Sequence, residues 1–150
     1  RSVLSFDMDN LSAAQSRLNA LREFVCKNQY TKNFKEDSQV IDTFRRNFTA
    51  ALRDDLNTPQ AFAALAALER DGVRVLGAVD AVAWADRVLG RGLVGEAVPF
   101  TDTELGLQRQ RSEARARNDY EASDKLRDEL KAQGIEAEDM EKSSEYWRSA

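Results

Sequence analysis

The sequence predicts an all-α fold: an antiparallel helical bundle followed by a small helical module, with a short β-hairpin expected at the end. Three observations support this class. Apolar residues recur every three or four positions in four successive segments, which is the spacing of amphipathic helices. Residues typical of helix starts and stops separate those segments. With 150 residues, of which 42% are hydrophobic, the chain is long enough to bury a core.

Two long stripes begin the bundle. The first stripe comprises Leu11, Ala14, Leu18, Leu21 and Val25. A polar linker is predicted over 27–37, and Asp37 or Ser38 is suited to start the second helix. The apolar face of that helix comprises Val40, Ile41, Phe44, Phe48, Ala51 and Leu52. Each stripe falls on one side of a helix and predicts a surface that faces the core.

Capping residues define the third and fourth helices. Thr58 is a suitable N-cap, and Pro59 suits the first helical position because the N–H that proline lacks has no partner there. Gly72 is expected to end the third helix, Asp80 to cap the fourth and Gly90 to end the fourth. The two stripes comprise Ala61, Phe62, Leu65 and Leu68, then Ala81, Trp84, Ala85, Val88 and Leu89.

A glycine-rich segment divides the chain. Three glycines and a proline lie between residues 90 and 99, a composition typical of a linker. Two domains are therefore predicted, over 1–95 and 96–150.

The second domain begins with a capping box formed by Thr101 and Glu104. The fifth helix that follows quickly loses its apolar face, and a sixth helix is expected to restart near Asp119. Residues 135–140 then alternate in character and are expected to pair with 144–148 as a short hairpin.

The composition excludes most kinds of catalysis. The chain has no histidine, so histidine bases and histidine metal ligands are absent. Cys26 is the single cysteine, which excludes an internal disulfide and a thiolate zinc site and favours a small core residue. No glycine-rich phosphate loop is present. No catalytic residue, metal ligand or cofactor is therefore assigned, and the chain alone is predicted to be inactive.

Charge and hydropathy limit the partners. The net charge is −4, so a nucleic acid would have to bind at a specific site rather than through bulk attraction. No segment has the pattern of a membrane span or a secretory signal, so no membrane partner is expected. A lone cysteine fits a reducing compartment, and a cytoplasmic location is expected.

The stretch 109–120 is the first candidate site. It contains four arginines and ends in Tyr120. An arginine fork pairs with phosphate or with the acceptor edge of guanine, and a tyrosine ring can stack on a base. Aspartates further along could accept hydrogen bonds from base amino groups. The alternative is a solvated helix face stabilised by pairs such as Glu121–Lys125.

Three other features have both a structural and a functional interpretation. Asp54 and Asp55 could bind a metal or form an acid–base pair, or they could complement the start of the next helix. Trp84 lies on an apolar stripe and is predicted to be core. Trp147 lies in a charged tail, where it either fastens the tail down or is presented to a partner.

Three motifs, in the same order along the chain, resemble the cysteinyl-tRNA synthetase family. Residues 119–139, DYEASDKLRDELKAQGIEAED, and the later Trp147-Arg148 are similar to the family's aromatic-x-x-x-Asp-x-x-Arg-Asp-x-Leu helix, Gly-Ile-x-x-Glu-Asp strand and final Trp-Arg. Residues 54–61, DDLNTPQA, resemble the family's Asp-Asp-x-Asn-Thr-Pro-x-Ala junction. Residues 1–6 resemble its Tyr-Arg-Ser-Pro-Leu-x-Phe segment, which leads out of the catalytic core.

The resemblance implies a DALR-type helical bundle over 1–95 and an anticodon-binding domain over 96–150, both non-catalytic parts of a class I synthetase. The family's catalytic motifs, zinc ligands and nucleotide-binding fold are not found in this sequence, so the ATP and zinc that the parent enzyme uses have no site in it. The implied partners are the anticodon loop of cysteine tRNA and a synthetase catalytic core in cis. The chain would be a fragment or a free-standing homologue.

Carried over by position, the resemblance implies RNA contacts for seven residues: Arg115, Tyr120, Asp124, Arg127, Asp128, Asp139 and Trp147. In the GCA anticodon, Arg115 suits the guanine, and Asp124 or Asp128 suits a base amino group. Tyr120 stands where an aromatic often stacks. The sequence departs from the family at Val3, which replaces a proline, and at 141–146, which replace a glycine-containing turn.

Two alternatives remain open. One is a free-standing helical adaptor or regulator that binds protein or tRNA, which would expose an apolar patch if its partner were a protein. The other is the related ligase that joins cysteine to an amino sugar, and the anticodon-type tail over 109–148 argues against it.

Overall fold

The computed structural model describes residues 8–32, 34–140 and 144–149 and contains, within them, six α-helices and one two-stranded sheet. The elements are α1 (Met8–Tyr30), α2 (Ser38–Arg53), α3 (Thr58–Asp71), α4 (Ala78–Leu89), α5 (Asp102–Ala116), α6 (Tyr120–Ala132), β1 (Ile135–Asp139) and β2 (Ser144–Arg148). The predicted all-α class and the terminal hairpin are confirmed. The motif at 1–6 and residues 141–143 of the altered turn lie outside the described residues.

The hydrophobic core lies among α1 to α4. Phe48 of α2, Leu65 of α3 and Val82 of α4 are fully buried in one cluster. Trp84 packs edge-on against Phe48, with ring centroids 5.5 Å apart, and against Phe44, with centroids 6.4 Å apart. The predicted stripes of α2 and α3 therefore face the core, and Trp84 packs against it as expected.

Helix α1 is longer than its neighbours, so only part of its predicted apolar stripe is buried. Leu21 and Val25 are buried, but Leu11 is 50% exposed. With 23 residues against 12 to 16 in α2, α3 and α4, α1 extends beyond the helices that pack on it. It also runs to Tyr30, so the predicted linker over 27–37 begins four residues too early.

Two predicted caps are wrong by a few residues. The N-cap of α3 is Asn57, whose side chain accepts a hydrogen bond from the Gln60 amide at 3.2 Å, and Thr58 is already helical. The N-cap of α4 is Gly77, which adopts φ +84°. Asp80 lies instead in the first turn of α4, where its charge favours the helix N-terminus.

The linker after α4 is fastened to the bundle although it forms no helix or strand. The Asp86 carboxylate accepts hydrogen bonds from the Arg91 and Leu93 amides, both at 2.8 Å, and Leu93 is buried. Gln29 and Tyr30, at the end of α1, donate to carbonyls further along the linker. Side chains of α1 thereby hold the linker along the bundle.

The second half of the chain packs α5 against α6 and the hairpin against both α1 and α6. The predicted capping box of Thr101 and Glu104 is present. Asp119 caps α6 by accepting from the Ala122 amide at 3.1 Å, as expected for a restart at this position. In the antiparallel hairpin, Asp139 lies opposite Ser144.

We predict that Leu65→Ala lowers the free energy of unfolding by about 2–5 kcal/mol, because it opens a cavity in the core. Chemical denaturation followed by circular dichroism measures the change. Leu76→Ala is the matched control, since Leu76 is mostly exposed, and it should have an effect within about 0.5 kcal/mol. Equal losses for the two variants would contradict the placement of the core.

Candidate nucleic-acid interface

One polar side of α5 faces the β-hairpin. Its members are spaced by four, three and four residues, as Glu104, Gln108, Arg111 and Arg115, and so share one side of the helix. Each of them bonds to a residue of β1 or β2, Gln108 through its backbone carbonyl. The helix is therefore fastened largely by polar contacts, which explains why its sequence lacks a continuous apolar face.

Arg111 lies at the centre of this polar contact with 0% of its surface exposed. Its Nη2 donates to Asp139 Oδ2 at 2.8 Å, and its Nη1 donates to Ser144 Oγ at 3.1 Å. The guanidinium also lies 5.8 Å from the ring centroid of Tyr146. A buried cation destabilises a fold unless it is paired and hydrogen-bonded, so the hairpin and Arg111 require each other.

Asp139 joins two arginines to the hairpin. Its Oδ2 lies 2.9 Å from Arg115 Nη1 in addition to the Arg111 contact, and its Oδ1 accepts from Ser144 Oγ at 2.8 Å. Burial by itself would raise the pKa of Asp139. The hydrogen bonds from Arg111 and Ser144, together with the charges of both arginines, nevertheless hold this pKa below its usual value.

A second ion pair fastens the other end of α5. Arg148 donates two hydrogen bonds to the Glu104 carboxylate, at 3.0 and 2.8 Å. These bonds, and one from the Thr101 amide, lower the pKa of Glu104. Arg148 also donates to the carbonyls of Val98 and Pro99, so one side chain connects β2, the linker and the start of α5.

The opposite face of the hairpin is joined to the bundle. The Trp147 indole N–H donates to Glu23 Oε1 at 2.7 Å, and the Lys27 ammonium lies 4.9 Å from the Trp147 ring centroid. Arg74, in the turn before α4, bonds to Glu138 at 3.2 Å and to Glu145 at 3.0 Å. These contacts fix the hairpin against α1 and against the α3–α4 turn.

One side of α6 presents four of the predicted residues to solvent. Tyr120 is 58% exposed, and Asp124, Arg127 and Asp128 are also exposed. Their spacing of four, three and one places them on one side of the helix. The Tyr120 hydroxyl donates to Asn118 Oδ1 at 3.2 Å, which leaves its ring available for stacking.

The structure thus divides the seven predicted residues. Tyr120, Asp124, Arg127 and Asp128 form the exposed face of α6, whereas Asp139 is occupied by its ion pairs. The Arg115 side chain contacts Asp139 and still has 34% of its surface exposed. Trp147 is 9% exposed and hydrogen-bonded to Glu23, so it fastens the tail, the first of the two roles that the sequence left open. Its predicted RNA contact does not fit this burial.

Arg111, Glu104 and Arg148 fasten α5 to the hairpin, a role that sequence reasoning did not assign to them. Two signals for them were present. The polar residues of α5 repeat at three and four positions like an apolar stripe. In β2, Ser144, Tyr146 and Arg148 alternate with Glu145 and Trp147, which places one set on each face of the strand.

The other candidates have structural roles or lack the groups that their chemistry needs. Asp54 ends α2 and accepts from the Asn57 side chain at 3.2 Å. Burial, followed by the charge of Glu23, raises the pKa of the half-buried Cys26, which disfavours the reactive thiolate. Within residues 8–32, 34–140 and 144–149, no group of three acidic or thiol side chains is arranged to hold a metal.

The same described part of the chain contains no helix that is both long and apolar enough to cross a bilayer.

Comparison with known protein families first gives a domain class for part of the chain. The model of the DALR domain family matches residues 47–76, which run from the second half of α2 through α3 to the turn before α4. The DDLNTPQA junction lies inside this match.

Curated relatives then identify the family. A cysteine–tRNA ligase 1 of Burkholderia lata is 33% identical over 142 residues, covering 93% of this chain and 29% of the relative. Cysteine–tRNA ligases of Treponema pallidum, strain Nichols, and Chlorobaculum tepidum are 41% and 33% identical, covering 78% and 97% of this chain. The chain is thus homologous to a region of cysteine–tRNA ligases, which confirms the resemblance inferred from the motifs. It spans 25% to 34% of the length of these three relatives.

We predict that the unfolding free energy falls with acid because of Asp139 and Glu104. Both carboxyl pKa values are lowered in the folded state. The two groups therefore contribute fully to the free energy of unfolding above their pKa values in the unfolded chain, which are about 4. This contribution is lost as the pH falls through their pKa values in the folded state. Urea unfolding between pH 6 and pH 2 should therefore be less pH-dependent for the double variant Asp139→Asn and Glu104→Gln. The control is the double variant Asp128→Asn and Glu129→Gln, which makes the same charge change at two exposed positions of α6. If the free energy of unfolding depended on pH identically in the two double variants, this mechanism would be contradicted.

Proposed function

We propose that this chain is the tRNA-contacting, anticodon-recognition region of a cysteine–tRNA ligase. On this proposal it contributes to the formation of cysteinyl-tRNA without carrying out the chemistry, which a catalytic core in cis would supply. The ligase relatives match nearly the whole chain, and the chain contains none of the residue sets that amino-acid activation would need. A cytoplasmic location is part of the same proposal.

The observation that carries the proposal is the exposed face of α6, together with the partly exposed Arg115 near the end of α5. Tyr120 offers a ring for a splayed base, and Asp124 and Asp128 offer acceptors for base amino groups. Arg115 and Arg127 offer guanidinium donors to guanine or phosphate. Sequence-specific recognition of unpaired RNA combines these elements: a stacking surface and hydrogen bonds to base edges.

The free-standing adaptor remains the second candidate. The described residues do include exposed apolar side chains, such as Met8 and Leu11 on the overhanging half of α1. Further exposed apolar side chains include Leu56, Leu76 and Val88. The match of the ligase relatives to nearly the whole chain favours the ligase interpretation, and binding to cysteine tRNA distinguishes the two.

We predict that Arg115→Ala weakens binding to an anticodon stem-loop of cysteine tRNA by about 1–3 kcal/mol and relaxes the preference for guanine. The fold should persist, because Asp139 keeps its bond to Arg111. Fluorescence anisotropy with the GCA stem-loop and with a guanine-substituted stem-loop measures both effects. Arg87→Ala, which removes an exposed arginine of α4, is the control of equal charge. If Arg115→Ala and Arg87→Ala bind the stem-loop equally, Arg115 has no role in recognition.

We also predict that Tyr120→Ala weakens the same complex by about 1–3 kcal/mol, because it removes a stacking surface. Tyr120→Phe should bind nearly as the native chain does, since it retains the ring and loses only the bond to Asn118. Titrations of the three proteins at one salt concentration provide the comparison. An equally large loss for the phenylalanine variant would rule out stacking as the function of this side chain.

A further inference from the structure

Two glutamates stand opposite each other in the hairpin. Glu138 of β1 pairs with Glu145 of β2 in the antiparallel register, so both side chains leave the same face of the sheet, with Cβ atoms about 5 Å apart. Like charges in directly opposite positions destabilise a pair of strands. The neighbouring pair on this face is Glu136 and Trp147, which offers no cation. The hairpin therefore carries a repulsion that the strands themselves do not relieve.

One arginine of the bundle bonds to both glutamates. Arg74 Nε donates to Glu145 Oε2 at 3.0 Å, and Arg74 Nη2 donates to Glu138 Oε2 at 3.2 Å. Glu138 also pairs with Lys27 of α1, and its side chain is 44% exposed. The Glu145 side chain is only 11% exposed, and among the residues that the structure describes its carboxylate bonds to Arg74 alone. Glu145 therefore depends on Arg74 more than Glu138 does.

Contacts within the bundle hold the backbone of Arg74. This residue adopts φ +61°, a left-handed conformation that a residue other than glycine keeps only where its surroundings enforce it. Its amide donates to Oδ1 of the buried Asn28 at 2.9 Å, and its carbonyl accepts from the Lys35 amide at 2.6 Å. The Asn28 side chain is itself fixed by donating to the Phe24 carbonyl at 2.9 Å. The bundle thus places the Arg74 guanidinium without help from the hairpin.

We propose that Arg74 is the positioning residue that holds the hairpin, and with it α6, in one orientation on the helical bundle. Strand β1 packs against α6 as well as against β2, so the orientation of the hairpin sets the direction in which the exposed face of α6 points. Without Arg74, two opposed carboxylates share no cation, and the strands separate more often. This inference goes beyond the proposed function and needs no RNA for its test.

Hydrogen exchange followed by mass spectrometry tests whether strand pairing depends on Arg74. Arg74→Met removes the cation and keeps an unbranched side chain. We expect the β1 and β2 amides to exchange about 10-fold faster, an effect between those of breaking an exposed and a buried ion pair. The amides of α2 and α3 should be unchanged and serve as the internal reference. Arg87→Met, at an exposed position of α4, is the matched control and should exchange as the native chain does.

Adding Glu145→Gln separates charge from packing. It removes one of the two opposed charges, so Arg74→Met should accelerate exchange by less than about 3-fold in this background. Equal acceleration with and without Glu145→Gln, or native exchange in Arg74→Met, would overturn the proposal. If Arg74→Met does not fold, Arg74→Lys takes its place and is judged by the same two outcomes. A lysine keeps the charge but lacks the fork that bridges both carboxylates, so a smaller acceleration is expected.

Double electron–electron resonance tests the orientation of α6. Nitroxide labels at Arg87→Cys of α4 and Lys125→Cys of α6, both exposed positions, report the distance between the bundle and α6 in a Cys26→Ala background. We expect one narrow distance distribution, which broadens in Arg74→Met and narrows again when Glu145→Gln is added. A broad distribution with Arg74 intact, or an unchanged one in Arg74→Met, would contradict positioning by Arg74. Failure of the chain to bind RNA would overturn the proposed function alone.

Discussion

The buried ion pair between Arg111 and Asp139 is the contact on which the C-terminal half depends. It lets a helix without a continuous apolar face pack against the hairpin, because the two terminal nitrogens of the guanidinium donate to a carboxylate and two hydroxyls of the hairpin. Removing one partner of such a pair leaves an uncompensated buried charge and destabilises a protein by about 3–5 kcal/mol. The same carboxylate also pairs with the partly exposed Arg115.

The bundle could be predicted well from the sequence because its stability comes from periodic apolar burial. The stripes of α2 and α3, the core position of Trp84 and the capping box of α5 all followed from local patterns. The errors have local causes too. Asn57 was available as a cap one residue before Thr58, and Gly77 could adopt the left-handed backbone that starts α4. The first half of the α1 stripe is exposed because its neighbours are shorter, which no local pattern in α1 reveals.

The candidate site was only partly predictable, because ion pairing between distant segments decides which polar residues are free. Arg111 and Arg115 look alike in the sequence, yet one is fully buried and the other is one-third exposed. Trp147 could fasten the tail or face a partner, and the distant Glu23 determines that it is buried. The motif resemblance indicated a region, and the geometry then separates residues that hold the hairpin from those that face solvent on α6.

The most direct test is ultraviolet crosslinking of the cysteine tRNA anticodon stem-loop, carrying photoreactive bases in its loop, followed by mass spectrometric mapping. Crosslinks within residues 115–128 are predicted, with Tyr120 among them, because the exposed face of α6 is expected to touch unpaired bases. Crosslinks confined to α1–α4 under saturating binding, or no crosslink at all under those conditions, would contradict recognition by this face.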